Sequence, residues 1–264
     1  MADEDKRVNV DISRFEYART KEIIGRYLPS ESLTIMDVGG GTGAYSFWLA
    51  QKGHRVHLID IVPLHIELAR EKSSKSTKPL ESIHLGDAKS LPFKNNFADL
   101  LLLLGPLYHI PERRRRILVL KECARALKKG GIFFCVAISR FASMLEGFRS
   151  GLFKDPRFER IVDRDLHDGQ HRNIAPDKDY FTTAYFHKPE ELKEEIAAAG
   201  LKCEKLIGVE GPIGILNELN EWLDSNDRFY ELALKYMKLV EEEESLLGVS
   251  FHLLAIGRKP LNEF

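Results

Sequence analysis

A cluster of glycines that follows a short apolar run is the feature that most constrains the fold of this chain. Residues 35–50, IMDVGGGTGAYSFWLA, start in the apolar run of Leu33, Ile35 and Val38 and continue as a helix-like segment from Ala44. A strand, a tight turn and a helix in this order direct backbone N–H groups and a helix N-terminus at a ligand. The segment therefore predicts a binding turn at the edge of a sheet.

An acidic residue follows the glycines at the spacing of a ribose contact. The apolar strand 55–60 ends at Asp60, which stands 19 residues after Gly41, where a carboxylate reaches the hydroxyl pair of a ribose. The spacing Gly39-x-Gly41-x-x-Ala44 also satisfies the dinucleotide fingerprint, so the glycines alone leave a nicotinamide or flavin cofactor open. Both observations predict an adenosine-type cofactor.

The residue that separates these cofactors is Asp37, at the strand end just before the glycines. A carboxylate there would repel a pyrophosphate held by the same turn, because like charges at short range in a cleft are costly. S-adenosylmethionine carries a ribose, an adenine, an ammonium and a sulfonium, and no phosphate. A turn that only caps a helix would explain neither Asp37 nor Asp60. We therefore favour S-adenosylmethionine over a nicotinamide or flavin.

The order Asp37-x-Gly39-x-Gly41-x-Gly43 resembles the first motif of class I S-adenosylmethionine-dependent methyltransferases. The resemblance covers about residues 15–131, with a weaker return at the C-terminus. It implies that Asp87, after the third strand, bonds the adenine amine and that Ala88 flanks the ring, although Asp87 alone would be an ordinary turn residue. The implied cofactor contacts are Asp37, Gly39, Gly41, Gly43, Asp60, Ile61, Asp87, Ala88 and Leu104.

Strand and helix patterns alternate along the first half of the chain. Strands are predicted at 33–38, 55–60, 81–85, 98–104 and 131–138, and helices at 15–28, 44–52, 63–72 and 111–128. This alternation predicts an α/β fold with a doubly wound, mostly parallel sheet that binds ligands at the carboxyl ends of its strands. The resemblance implies seven strands, the last two (201–209 and 250–258) forming an antiparallel pair. We expect a single domain over residues 1–264.

Two segments do not fit the alternation, and we interpret them as a mostly helical lid over the methyl-acceptor pocket. They are about residues 139–187 and 212–249, the second with a helix over 215–247 that is interrupted near 224–227. Long insertions in compact domains tend to be functional, although decoration of the sheet edge is the alternative. The lid candidates for acceptor contact are His167, His171, Tyr180 and Tyr185.

The loop Gly105-Pro106-Leu107-Tyr108-His109 follows the fourth strand, and the chain resembles a bacterial small-molecule-type group that carries it. It lacks the Asn/Asp-Pro-Pro-Tyr/Phe motif of methyltransferases that act on base amines or glutamine amides. Tyr108 and His109 are the catalytic candidates: the tyrosine to line the pocket or bond the acceptor, the histidine to accept its proton. The structural alternative is that Tyr108 packs against the adenosyl group and His109 caps the next helix.

No metal site is predicted. His167 and His171 are four residues apart, as two ligands on one helix would be, but Gly169 between them opposes a helix and no third ligand stands at a convincing spacing. The three cysteines (Cys123, Cys135 and Cys203) are widely spaced and are expected to be reduced thiols rather than disulfides or zinc ligands.

Composition excludes several partners. The net charge is −1, so there is no general attraction to nucleic acid or to anionic membranes. The one dense basic run, Arg113–Arg116, is expected to be a solvated helix face with three arginines in water, although RNA contact is possible. The charged N-terminal segment and the absence of a long apolar run favour a soluble cytoplasmic protein. The oligomeric state is left open.

The function predicted from the sequence is transfer of a methyl group from S-adenosylmethionine to a small-molecule acceptor by in-line displacement. Three alternatives stay open: an RNA-modifying methyltransferase, a protein that binds S-adenosylmethionine without turnover, and a nicotinamide oxidoreductase.

Overall fold

The computed structural model describes residues 11–216 and 227–262, and its centre is one mixed β-sheet. The described strands are β1 (Thr34–Val38), β2 (Arg55–Asp60), β3 (Ser82–Leu85), β4 (Ala98–Leu103), β5 (Leu127–Ser139), β6 (Gln170–His171), β7 (Ala184–His187), β8 (Lys202–Gly208) and β9 (His252–Arg258). The first five lie parallel in the order β3-β2-β1-β4-β5. This order confirms the predicted doubly wound α/β sheet.

The chain direction changes at the far edge of the sheet. β9 pairs antiparallel with β5, from Ile132 opposite Arg258 to Ile138 opposite His252, and β8 pairs antiparallel with β9. This ending matches the predicted antiparallel pair. The register places the start of β9 and the end of β8 beside the carboxyl end of β5. Residues from these late strands therefore reach the edge at which the glycine turn lies.

Helices pack on both faces of the sheet. They are α1 (Asp11–Gly25), α2 (Ala44–Gln51), α3 (Pro63–Ser74), α4 (Arg113–Ala126), α5 (Ala142–Arg149), α6 (Pro156–Asp168), α7 (Pro189–Ala198), α8 (Asp227–Val240) and α9 (Glu244–Leu247). The alternating faces of the apolar run in β4 show why both layers form: Leu101 and Leu103 pack under α4, whereas Leu100 and Leu102 pack under α2 and α3. Burial on both faces is typical of parallel strands.

Residues 139–187 contain α5 and α6, as predicted, but also two strands. β7 continues the sheet from the end of β5, where Ile138 pairs with Phe186, and β6 pairs antiparallel with β7. The sheet therefore has more than the seven strands expected, and this segment is less helical than expected. Strands of two and four residues are too short for an alternating pattern to show in the sequence.

The second inserted segment packs on the N-terminal helix. Ala233 and Met237 of α8 contact Phe15 of α1 in one apolar cluster, and Glu241 just beyond α8 pairs with Arg19 and Arg26. The interruption predicted near residues 224–227 falls mostly outside the described residues. Whether the two segments act as a lid stays a prediction.

Two expectations from composition can be compared with the structure. All three cysteines are free thiols, two of them buried, as predicted. Among the described residues, no helix combines the length and apolar character needed to cross a membrane.

Candidate cofactor and acceptor site

The glycine turn is fastened to the end of the neighbouring strand. The N–H groups of Gly39 and Gly40 donate to the carbonyl of Ile59 at 2.7 and 3.2 Å. Gly39, Gly41 and Gly43 all have positive φ, between 58° and 91°, which side chains with a Cβ rarely adopt. A Cβ on Gly39 would stand 2.1 Å from Cγ of Pro106. Only glycine therefore lets the turn and the loop after β4 approach this closely.

Asp60 is held at the mouth of this turn. Its Oδ2 accepts from the N–H of Gly41 at 2.9 Å, and its Oδ1 accepts from the N–H of Val62 at 2.8 Å and lies 3.2 Å from Nδ1 of His65. The side chain is 8% exposed. A carboxylate fixed in this way keeps lone pairs for the hydroxyls of a ribose.

Asp37 lies behind the turn. Its Oδ2 accepts from the hydroxyl of Ser46 at 2.7 Å, and the residue is 2% exposed. Burial and the nearby charge of Asp60 raise the pKa of Asp37 to about 6, although the bonds from Ser46 oppose the shift. The Asp37 carboxyl group therefore stabilises the turn through Ser46. It would act on a bound cation through its charge and not by direct contact.

Apolar side chains are left uncovered beside Asp60. Ile61 is 63% exposed and Leu85, paired with Asp60 across β2 and β3, is 55% exposed. Exposed apolar groups at the rim of a polar cleft indicate a surface that a ligand covers. Asp87 and Ala88 follow the end of β3 and are partly exposed. Burial raises the pKa of Asp87, but the hydrogen bonds from Lys89 outweigh this effect and lower the pKa.

The loop after β4 forms the far wall of the cleft. Pro106–His109 is a 3₁₀ turn, and Pro106 lies against Gly39. Tyr108 is half-buried and packs on two clusters, one with Leu104 beneath the glycine turn and one with residues of the 139–187 segment. His109 is exposed, and its ring stacks on Phe181 at 6.0 Å between centroids. The predicted catalytic pair thus stands between the cofactor turn and the inserted segment.

Phe181, in the inserted segment, packs beside this loop. Its φ is 71°, unusual for a bulky side chain. Its ring faces those of Tyr108, His109 and His171 at 6.0 to 6.5 Å. The sequence reasoning did not single out Phe181, because its backbone conformation leaves no mark in a hydropathy pattern.

The structure separates the two histidines that share the candidate segment. His167 is exposed on α6, which ends at Gly169 with φ 75°. His171 is buried; its Nδ1 lies 2.7 Å from Oδ2 of Asp165 and its Nε2 lies 2.8 Å from the carbonyl of Tyr180. The two rings therefore have different surroundings and are not brought together.

Tyr180 and Tyr185 have partners within the protein. The hydroxyl of Tyr180 donates to Asp155, and its ring packs on Phe158. The ring of Tyr185 carries the guanidinium of Arg116 at 3.6 Å, and its hydroxyl bonds Glu191. These contacts give both tyrosines structural roles, and their contact with an acceptor stays a prediction.

The basic run opening α4 divides as expected. Arg113, Arg114 and Arg115 are exposed, whereas Arg116 is fully buried. Arg113 lies 3.8 Å from both Glu194 and Glu195. A run partly neutralised by its own neighbours is typical of a solvated face rather than an RNA-binding surface.

The sequence reasoning also missed three ionisable residues at this edge. Glu210 follows β8 and His252 opens β9, while Glu16 lies on α1. Glu16 also acts on Tyr45 of α2: burial raises the pKa of the Tyr45 hydroxyl, and the Glu16 carboxylate and then Tyr108 raise it further. Glu16, Glu210 and His252 are far apart in the chain, so only the antiparallel ending of the sheet brings them together.

Comparison with known proteins decides which cofactor class this geometry serves. Residues 36–135, which run from the glycine turn to β5, match the family described as a methyltransferase domain. Residues 36–135 are therefore similar to class I S-adenosylmethionine-dependent methyltransferase domains. S-adenosylmethionine is the cofactor of this domain, and the glycine turn, Asp60 and the exposed Ile61 are compatible with it.

Curated relatives of the methyltransferase domain share about half of this chain. The ubiquinone/menaquinone biosynthesis C-methyltransferase UbiE of Acidiphilium cryptum (strain JF-5) is 32% identical over 46% of this chain and 48% of its own length. The 2-methyl-6-phytyl-1,4-hydroquinone methyltransferase 2, chloroplastic, of Oryza sativa subsp. japonica is 32% identical over 51% of this chain and 42% of its own. The chain therefore spans about half the length of these relatives.

A solved structure matches over almost the whole methyltransferase fold. A SAM-dependent methyltransferase from Methanosarcina mazei superposes with a TM-score of 0.63 at 20% identity, covering 91% of this chain and 98% of that one. At this identity the match shows the fold alone. It extends beyond the family match into the inserted segments, whose roles it leaves open.

Proposed function

We propose that this chain transfers a methyl group from S-adenosylmethionine to a small-molecule acceptor at the carboxyl edge of the sheet. The single observation that carries the proposal is the bond between the N–H of Gly41 and Asp60, at 2.9 Å. It fixes a carboxylate at the mouth of a glycine turn, beside exposed apolar side chains and with no basic residue in the turn.

Each part of the site has a role in this proposal. S-adenosylmethionine supplies an already activated methyl group, which leaves its sulfur as the bond to the acceptor forms. Asp60 holds the ribose, Ile61 and Ala88 cover the adenine, Asp87 bonds its amine, and the buried charge of Asp37 favours the cationic end. The protein then mainly has to orient the acceptor and exclude water.

Tyr108 and His109 are the proposed acceptor-side residues. Tyr108 lies between the cofactor turn and the 139–187 segment, so its hydroxyl is placed to orient an acceptor. His109 is exposed, and an imidazole suits a proton acceptor where the acceptor group requires one. Residues 139–187 and 212–249 serve as the lid, with Phe181 closing over this loop.

The acceptor that this pocket fits is a planar ring that bears a hydroxyl group. Two aromatic side chains from other parts of the chain, Tyr45 and Phe181, each share an apolar cluster with Tyr108 of the loop. Of the relatives compared above, one is named for ubiquinone/menaquinone biosynthesis and one for 2-methyl-6-phytyl-1,4-hydroquinone. The exposed arginines of α4 are partly paired with glutamates, so nothing comparable favours RNA.

Calorimetry tests the proposal without knowledge of the acceptor. We expect S-adenosylhomocysteine to bind one to one and NAD⁺ not to bind. Labelled S-adenosylmethionine should then methylate members of a panel of simple hydroquinones. Tight NAD⁺ binding without S-adenosylhomocysteine binding would sink the proposal, and methylation of RNA instead of hydroquinones would move it to the RNA-modifying alternative.

Replacement of Asp60 by asparagine is expected to weaken S-adenosylhomocysteine binding about 10- to 100-fold, because each charge-assisted bond to a ribose hydroxyl contributes roughly 1.5 to 3 kcal/mol. Titration calorimetry measures the change. Asp99→Asn is the matched control: Asp99 also accepts a backbone N–H, that of Thr34 at 2.9 Å, but at the opposite end of the sheet. Equal affinity loss in both variants would contradict the assignment.

The raised pKa of Asp37, about 6, predicts a pH dependence of cofactor binding. A cation binds the ionised carboxyl better, so S-adenosylmethionine affinity should fall about tenfold from pH 7.5 to pH 5. S-adenosylhomocysteine, which lacks the sulfonium charge, should change less, and Asp37→Asn should flatten the profile. For the stability of the free protein the pH dependence has the opposite sign. The protonated Asp37 carboxyl contributes stability that is complete below about pH 4 and is lost as pH rises through 6.

A further inference from the structure

Three metal-ligating side chains meet outside the cofactor turn. Within the described residues, 11–216 and 227–262, these side chains are Glu16 on α1, Glu210 after β8 and His252 at the start of β9. One ligand atom from each lies within 4.8 Å of the other two. Carboxylate and imidazole groups in this combination are ligands of divalent transition metals.

The ligand atoms converge on one nitrogen. Oε1 of Glu210 lies 2.5 Å from Nδ1 of His252, and Oε2 of Glu16 lies 3.9 Å from the same Nδ1. Two carboxylates and a neutral imidazole carry a charge of −2. The point between them therefore takes up positive charge, either as a proton on the ring or as a cation.

A second layer of bonds fixes the central carboxylate. Glu210 is fully buried, and its Oε2 accepts from the hydroxyl of Ser250 at 2.9 Å and from the N–H of His252 at 3.0 Å. The Ser250 oxygen in turn accepts the N–H groups of Glu210 and Gly211, both at 3.1 Å. Outer bonds of this kind orient ligands in metal sites.

A simple ion pair explains Glu210 and His252 but not Glu16. Glu16 is on a different element and only a quarter exposed, and no residue in the described part of the chain gives its carboxylate a hydrogen bond. It nonetheless approaches the Glu210 carboxylate, which costs like-charge repulsion. Burial raises the pKa of Glu16, and Glu210 raises it further against the lowering effect of His252. A divalent cation would remove this cost for all three groups.

We propose that Glu16, Glu210 and His252 bind a divalent transition-metal ion through Nδ1 of the histidine and one oxygen of each carboxylate. The ion replaces the proton shared by Nδ1 and Glu210, and that contact widens to admit bonds of roughly 2.0 to 2.2 Å. Three protein ligands leave at least one coordination position open. His252 follows Phe251, which shares an apolar cluster with Tyr108, so the ion lies beside the proposed acceptor pocket.

The test is metal binding by the chelator-treated full chain. Zn²⁺ and Mn²⁺ are each titrated by calorimetry, and Co²⁺ is followed by its visible absorption. We expect one equivalent to bind, weaker by about tenfold or more in Glu16→Gln and lost in His252→Gln. Glu16→Gln removes no hydrogen bond, so it should fold. His65→Gln is the control. It also removes an imidazole beside a carboxylate, since Nδ1 of His65 lies 3.2 Å from Oδ1 of Asp60, but it lies at the cofactor turn.

The proposal is overturned if none of the three ions binds stoichiometrically, or if binding is unchanged in Glu16→Gln. Binding lost equally in His65→Gln would place the ion at the cofactor site and would also refute it. S-adenosylhomocysteine is titrated in parallel with the same samples. Failure of that titration contradicts the proposed methyl transfer and leaves the metal result standing on its own.

Discussion

Gly39→Ala is expected to abolish measurable S-adenosylhomocysteine binding, a loss of at least about 100-fold. The added Cβ would stand 2.1 Å from Cγ and 2.6 Å from Cδ of Pro106, so the turn and the loop after β4 must separate. The positive φ of 71° adds about 1 to 2 kcal/mol of backbone cost. Because the N–H of Gly39 is bonded to Ile59, movement of the turn also disturbs the strand end that carries Asp60.

Gly53→Ala is the matched control for this variant. Gly53 has a φ of 93°, but a Cβ there meets nothing within 4 Å. It therefore shares the backbone cost and lacks the collision, and its affinity should equal that of the parent chain. Calorimetry measures binding, and thermal unfolding reports the stability of both. If Gly39→Ala binds as tightly as Gly53→Ala, the close approach of turn and loop is not needed for the cofactor.

Arg116→Met is expected to lower the free energy of unfolding by about 3 to 5 kcal/mol, because it removes the two-bond arginine partner of a buried carboxylate. Nε and one amino group of Arg116 donate to Glu195 at 2.9 and 2.6 Å, with both side chains 1% exposed. The other amino group donates to the carbonyls of Ile110 and Pro111, which follow the Tyr108-His109 pair. Arg116 thus joins this loop to α7.

Two further variants separate the causes of the Arg116 effect. Arg115→Met, one residue away and exposed, should change stability by no more than about 0.5 kcal/mol. The double variant Arg116→Met with Glu195→Met should regain part of the lost stability, since no buried charge remains unpaired. Chemical denaturation measures all three. A loss below about 1 kcal/mol in Arg116→Met would show that the buried pair is not stabilising.

The alternation of short apolar runs with helical patterns was sufficient to predict the parallel part of the sheet. Every predicted strand of that part is present within a few residues of its expected bounds, and the antiparallel ending that the resemblance implied is also present. These elements are encoded locally, because burial on one or both faces imposes a period that the sequence displays. The sequence did not predict strands β6 and β7, because these residues form strands by pairing at the end of β5 and have no periodic pattern of their own.

Arg116 shows the limit of local reasoning at single-residue level. The sequence predicts that one arginine of the run is buried, since the helix period turns one of four towards the sheet. It does not predict Glu195 as the partner, 79 residues away, or Tyr185 beneath the guanidinium. The hydrogen-bond acceptors of a buried charge are set by packing.

The sequence by itself determined the cofactor turn, because glycine conformations, the charge of Asp37 and the spacing to Asp60 act within one strand–turn–helix–strand unit. The tertiary structure decided which ionisable groups stand beside that turn. Glu16, Glu210 and His252 meet because β8 and β9 run antiparallel at the sheet edge and α1 packs across it. Such contacts depend on the sum of many long-range packing energies, and no local sequence pattern indicates them.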